Sequence, residues 1–171
     1  MKHRTISALI AVIGIIVALQ ACKHETDESP TDLELLLRAR GTEADVWYKF
    51  SEALLPRTSG SGHAETFLRT RFNDIAAAHL DTLGKVVEGT VFAEGSLVVK
   101  ELWPNASGLG TYAVMLKRTG DPAADENGWV WGYIRDNGQV RESAINRGAV
   151  CKSCHAGSGN INGTLMNAAY P

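Results

Sequence analysis

The sequence offers no second pair of cysteines. Its only three, Cys22, Cys151 and Cys154, leave a zinc site two good ligands short. Basic residues are in slight deficit, 17 Lys and Arg against 19 Asp and Glu, for a formal net charge of -2. A mildly acidic chain is a poor match for phosphate backbones, so nucleic acid is an unsuitable partner. No glycine-rich stretch resembles a phosphate cradle, and no internal repeat is present. The longest apolar run, residues 6–19, falls short of the roughly 20 residues that span a bilayer. What remains is a chain of 171 residues that is 44% hydrophobic, which suits one globular domain with a real core.

The short apolar run follows Lys2, His3 and Arg4, and it ends in Leu19, Gln20, Ala21 and Cys22. A basic start, a short apolar stretch and a small residue before the boundary form the layout of an export signal. The ending resembles the lipobox of bacterial lipoproteins, in which the cysteine takes lipid and becomes the first mature residue. Residues 1–21 are therefore read as a signal peptide and Cys22 as a lipidation site, with an ordinary cleaved signal or a retained anchor as the alternatives. Residues 22–31, CKHETDESPT, are polar and read as a tether. Residues 32–171 form the domain. The implied location is the periplasmic side of a bacterial membrane.

Along the domain the hydrophobic period changes. Residues 32–40 read as a helix capped by Thr31 or Asp32 and ended by Gly41. Residues 42–55, ending before Pro56, read as a second helix. PRTSGSG is a loop. The next stretch reads as a strand through Phe72, then a helix capped by Asn73. From residue 95 the period is two. GSLVVKELW, TYAVMLKR and GWVWGYIR are strands bounded by turn residues, with Trp129, Trp131 and Tyr133 on one face of the third. Asn137-Gly138 signals a hairpin into a fourth short strand. The expected fold is α+β, a mainly antiparallel sheet with flanking helices.

Near the end, residues 151–155 read Cys-Lys-Ser-Cys-His. C-x-x-C-H is the attachment signature of one covalent c-type haem, with His155 as the metal ligand. A thioredoxin-type reading leaves His155 unexplained and expects a parallel α/β pattern. If Cys22 takes lipid and the other two take haem, no cysteine is left for a disulfide, and stability rests on core burial and the haem. Small electron-carrying c cytochromes place this motif early. Four-helix cytochromes c′ place it late but need helical periodicity throughout. Here the motif is late and the middle is strand, so the haem is expected against an antiparallel sheet near the C-terminus.

The segments FNDIAAA, VFAEGSLVVKE, YAVMLKR, the tryptophan-rich strand, the Asn-Gly turn and the late CKSCH resemble the cytochrome P-460 and cytochrome c′-beta family over about residues 63–171. The resemblance implies a mostly antiparallel fold, a homodimer, one c-type haem and an open distal site. It also implies oxidation of hydroxylamine, or binding of nitric oxide, with electrons passed to a partner cytochrome. By the same resemblance Cys151 and Cys154 match the thioether cysteines, His155 the proximal ligand, and Lys100 the lysine that some members join to the haem as part of their catalytic site. The strand TYAVMLKR has no acid where hydroxylamine-oxidising members carry one, with Ala113 near that place. Met166 stands where many members have an aromatic. An electron-transfer cytochrome with a six-coordinate haem is the alternative.

Other candidates follow from residue type. His63, His79, Met115 or Met166 would complete a six-coordinate iron. Phe72, Phe92, Trp103, Trp129 and Trp131 would wall a haem pocket, and Arg69 or Arg71 would meet a haem carboxylate. Lys100 shares a strand face with Ser96, Val98 and Leu102, while Leu97, Val99, Glu101 and Trp103 share the other. Both faces are mostly apolar, so the strand is expected to be covered on both sides, with Lys100 toward the haem. An edge-strand lysine reaching solvent, or one paired with a carboxylate, is the plainer reading.

The anchor reading has a direct test. Stable anchoring needs several acyl chains at about 0.8 kcal/mol per buried methylene. Cys22→Ser is expected to move the protein from the membrane to the soluble fraction. A soluble wild-type protein that lacks the residues before Cys22 and carries no lipid mass would refute it.

Overall fold

A computed structural model describes residues 29–41, 44–47 and 52–164. The expected signal peptide, the expected lipidation site at Cys22, and Met166 lie outside the described residues.

Helix α1 spans Pro30–Arg40. It starts two residues earlier than expected, because the Ser29 hydroxyl accepts from the Asp32 amide at 3.1 Å and Pro30 has its φ pre-set for the first turn. The tether expected through residue 31 is shorter by those two helical residues. With capping done by Ser29, Asp32 turns inward and is 1% exposed. Its carboxylate accepts from the Ala144 amide at 2.7 Å and the Ser143 hydroxyl at 2.5 Å, tying α1 to the far end of the chain. Gly41 ends the helix as expected.

The second expected helix is overturned. Ala44–Trp47 is strand β1 and Leu55–Pro56 is strand β2. Both pair antiparallel with β3, Phe67–Asn73. Helix propensity in this segment is a weak preference, and the open edge of β3 offers a full set of backbone partners that overrides it. Asn73 behaves as expected, its side chain accepting from Ala76 to start the single turn α2, Asp74–Ala77. The same oxygen also takes the Leu97 amide at 3.0 Å, which joins that turn to the next strand.

The three expected strands are β4, Leu97–Trp103, β5, Thr111–Lys117, and β6, Trp129–Arg135. The Asn137-Gly138 turn, with Gly138 at φ +96°, leads to β7, Val140–Glu142. The sheet runs β1-β3-β4-β5-β6-β7, antiparallel throughout, with β2 beside β1 on the same edge of β3. After a 3-10 turn at Ala144–Asn146 comes the short helix α3, Lys152–His155. The architecture is α+β.

The sheet has two buried faces. Val99, Val114, Val130 and Ile134 meet Leu35, Leu36 and Ala39 of α1. A helix of 11 residues is marginal alone. Burying Leu35 and Leu36, at roughly 2 kcal/mol each, is what holds it. The contact is close: a Cβ on Gly132 of β6 would lie 2.7 Å from Leu35. The opposite face carries Phe72, Val98, Met115, Trp129 and Trp131, covered in part by Val86 and Phe92 from the long β3–β4 connection.

Asp32→Ala is expected to cost about 2–3 kcal/mol in urea unfolding, because the buried Ala144 amide loses its only acceptor among the described residues. Asp32→Asn, which keeps one oxygen, should cost less.

Candidate functional site

A cavity of about 780 Å³ opens on the aromatic face of the sheet. Cofactor sites fall in the range of roughly 300–1,000 Å³. Its floor is the pleat itself: Thr70 of β3, Val98 and Lys100 of β4, Ala113 and Met115 of β5, Trp131 and Tyr133 of β6. The loop of residues 60–64 forms one wall. Arg141 and Glu142 of β7 and the segment bearing Cys151, Cys154 and His155 form the rest. The walls meet where Gly62 approaches Cys154, since a Cβ there would lie 3.6 Å from the sulfur.

Cys151, Cys154 and His155 fall on one helical turn, with the His155 amide bonded to the Cys151 carbonyl at 3.1 Å. Residues three and four apart share a helix face, so both thiols and the imidazole reach one cavity. Both cysteines are free. Burial, and then the charges of Glu142 and Cys154, push the Cys151 thiol up to about 11. His155 donates from Nδ1 to the Gly163 carbonyl at 2.7 Å, which leaves the Nε2 lone pair for a metal. Burial lowers the pKa of His155, opposed by the Gly163 carbonyl and helped by the charge of Lys100.

Two tryptophans hold this arrangement. Trp129 donates from Nε1 to the Asn162 carbonyl at 2.9 Å, fixing the turn that presents Gly163. Trp131 meets the His155 ring edge-on at 5.0 Å and donates from Nε1 to the buried Asp125 at 2.8 Å. Gly148, at φ +66°, passes so near the Trp131 ring that a Cβ there would lie 2.4 Å from it.

Lys100 lines the cavity. It lies on an interior strand, between β3 and β5, so the edge-strand reading fails. It has no carboxylate partner among the described residues. The adjacent Glu101 points through the other face, where it takes Arg69 at 2.7 Å and Arg71 at 3.0 Å. Burial lowers the Lys100 amine to about 8.

Several expectations change. Arg69 and Arg71 do not reach the cavity. They lie with Glu101 on the opposite face, Arg71 donating to the carbonyls of Ala39 and Gly41 at the end of α1. Of the five aromatics, Trp131 alone lines the cavity. Phe72, Phe92 and Trp129 are core beneath it, and Trp103 shares the face of Glu101. His79 packs edge-on to Phe92 at 5.3 Å, away from the site. His63 and Met115 do line the cavity.

Tyr133, Arg141 and Glu142 carried no signal as site residues. The β6–β7 register shifts between Tyr133 and Ile134. Such irregularities re-aim side chains, and here Arg141 and Glu142, neighbours in sequence, both line the cavity. Arg141 pairs with Glu65 at 3.4 Å. Glu142 Oε1 is buried with no hydrogen-bond partner. Burial, then Glu65, raises the Tyr133 hydroxyl to about 12.

Among the described residues no three His, Cys, Asp or Glu side chains are set to hold a bare metal ion. Two thiols that can bond carbon, one imidazole with a free lone pair and an apolar cavity suit a covalently attached haem instead.

The Lys100 amine links pH to stability in the polypeptide without cofactor. Between about 8 and 10.5 the unfolded chain holds a proton that the folded chain has lost, so stability rises with pH across that window. The contribution is up to about 3 kcal/mol. Lys100→Met is expected to be more stable than wild type at pH 7 and to lose this rise, read from urea midpoints at pH 7 and pH 10. The chain matches no family model, and neither the curated proteins nor the solved structures contain a significant match to it.

Proposed function

We propose that this chain is an exported mono-haem c-type protein that binds or oxidises small nitrogen species, hydroxylamine or nitric oxide, at an iron with one open side. The observation that supports it is the convergence of Cys151, Cys154, His155 and Lys100 on one largely apolar cavity. Cys151 and Cys154 would bond the porphyrin and His155 would bind the iron. A bound haem supplies a metal that takes a small ligand and exchanges electrons one at a time.

The rest is the work of the chain. The Gly163 carbonyl and Trp131 set the His155 ring. Val98 and Met115 give the cavity floor an apolar surface. Arg141, which lines the cavity and pairs with Glu65, would be the guanidinium to meet a haem carboxylate. The lowered pKa of Lys100 gives a neutral fraction of amine, the nucleophilic form, at the cavity.

Ala113 is the β5 partner of Lys100, so no acid faces it from that strand. This favours nitric oxide capture over hydroxylamine oxidation. Met115 at the cavity supports the electron-transfer reading, in which its sulfur would complete the iron's ligands.

Peptide mass spectrometry separates these outcomes. The peptide with Cys151 and Cys154 should carry one haem. Attachment of the same haem to Lys100 identifies the hydroxylamine-oxidising type. Attachment through the cysteines alone, with an unshifted spectrum in Lys100→Leu, identifies nitric oxide capture and removes the catalytic role of the lysine. A six-coordinate spectrum that nitric oxide leaves unchanged supports the electron carrier. No haem on that peptide refutes the proposal.

A further inference from the structure

The loop of residues 60–64 is the one wall of the cavity that the haem reading leaves without a task, and it carries a histidine. We infer that His63 is the ligand-side residue of the cavity: it faces the side of the cofactor opposite His155 and donates a hydrogen bond to a small molecule bound there. The inference rests on the haem reading above and adds to it the group that recognises the ligand.

Trp131 and Tyr133 are two residues apart on β6 and share a face, so they stand roughly 7 Å apart. His155 lies edge-on to Trp131 at 5.0 Å, and His63 stacks on Tyr133 at 5.9 Å with 19° between the planes. The two imidazoles thus pack on neighbouring residues of the same face of β6. One flat ring system between two groups needs roughly 7–8 Å, twice the carbon contact distance. We seat such a ring between the two histidines, both of which line the cavity.

Their hydrogen bonds divide the roles. A metal-bound histidine gives its other ring nitrogen to a fixed acceptor, and His155 does so at Gly163. His63 has no such acceptor. Its backbone is tied, the amide donating to Ser61 at 3.3 Å and the carbonyl accepting from Arg57 at 3.3 Å. Neither ring nitrogen has a partner among the described residues. Burial, then the charges of Lys100 and His155, lower its pKa to about 3, so the ring is neutral and keeps one N–H donor. A single donor fixed over an iron suits a molecule of two or three heavy atoms with a terminal lone pair, such as nitric oxide.

The test uses the full-length, haem-loaded protein and three forms: wild type, His63→Phe, which keeps the stacking on Tyr133, and His63→Gln, which keeps an N–H donor. Nitric oxide release is timed, and the carbon–oxygen stretch of bound carbon monoxide is recorded. Loss of one hydrogen bond should speed release about tenfold in His63→Phe and raise the stretch. His63→Gln should recover most of both. Unchanged release and stretch in His63→Phe would overturn the inference. So would a six-coordinate low-spin wild type that becomes five-coordinate in His63→Phe, because His63 would then bind the iron itself. A protein with no haem mass on the cysteine peptide overturns the haem reading and this inference together, and the mass distinguishes that failure from the others.

Discussion

Successive side chains of a β-strand leave through opposite faces, and in β4, β5 and β6 both faces are buried. Much else depends on that constraint. Lys100 and Glu101 are neighbours in sequence and would pair in water. The pleat sends them to different sides of the sheet. Glu101 finds Arg69 and Arg71 on its own side, beneath α1. Lys100 finds none of the described carboxylates and opens onto a cavity. A buried cation without a partner is costly, and the protein keeps the amine only by lowering its pKa. Such groups are enriched at sites of chemistry.

The same pleat builds the two halves of the domain from different materials. The aliphatic face is filled by a helix that brings Leu35 and Leu36 to it, and Asp32 ties that helix to the segment after β7. The aromatic face is only partly filled. Trp129 and Phe92 close one end, edge to face at 5.5 Å, and the cavity occupies the other. Indole N–H bonds to Asp125 and to the Asn162 carbonyl tie the segments around the cavity to the sheet. These bonds hold the last segment of the domain, and with it Gly163 and His155, against the sheet.

Protonation of the two imidazoles and the Lys100 amine in the cavity is held down, by burial first. Lys100 and His155 each depress the ionisation of His63, and Lys100 depresses that of His155. Burial acts in the same direction on all three. Both imidazoles therefore keep a lone pair, His155 on Nε2 while its Nδ1–H donates to the Gly163 carbonyl, and His63 on a ring stacked on Tyr133.

Local signals determined the strands β4, β5 and β6, the Asn73 cap, the Asn-Gly hairpin and the Cys-Lys-Ser-Cys-His turn. Each of these is set by period, by one side chain, or by spacing along the backbone. The face of Lys100 was legible for the same reason, because alternation is a local rule. Within the expected helix of residues 42–55, Ala44–Trp47 and Leu55 are strand instead, since the open edge of β3 that pairs β1 and β2 is distant in sequence. Arg69 and Arg71 were legible as partners for a carboxylate, but the carboxylate is Glu101, and only pairing of β3 with β4 brings it to them. His63 was a candidate iron ligand with nothing local to set it apart from His79. Tyr133, Arg141 and Glu142 looked like ordinary strand residues. The sequence alone determined which residues can carry the chemistry. Tertiary structure decided which of them share a cavity, because a shift in strand register or the course of one loop moves a side chain across the sheet at little local cost.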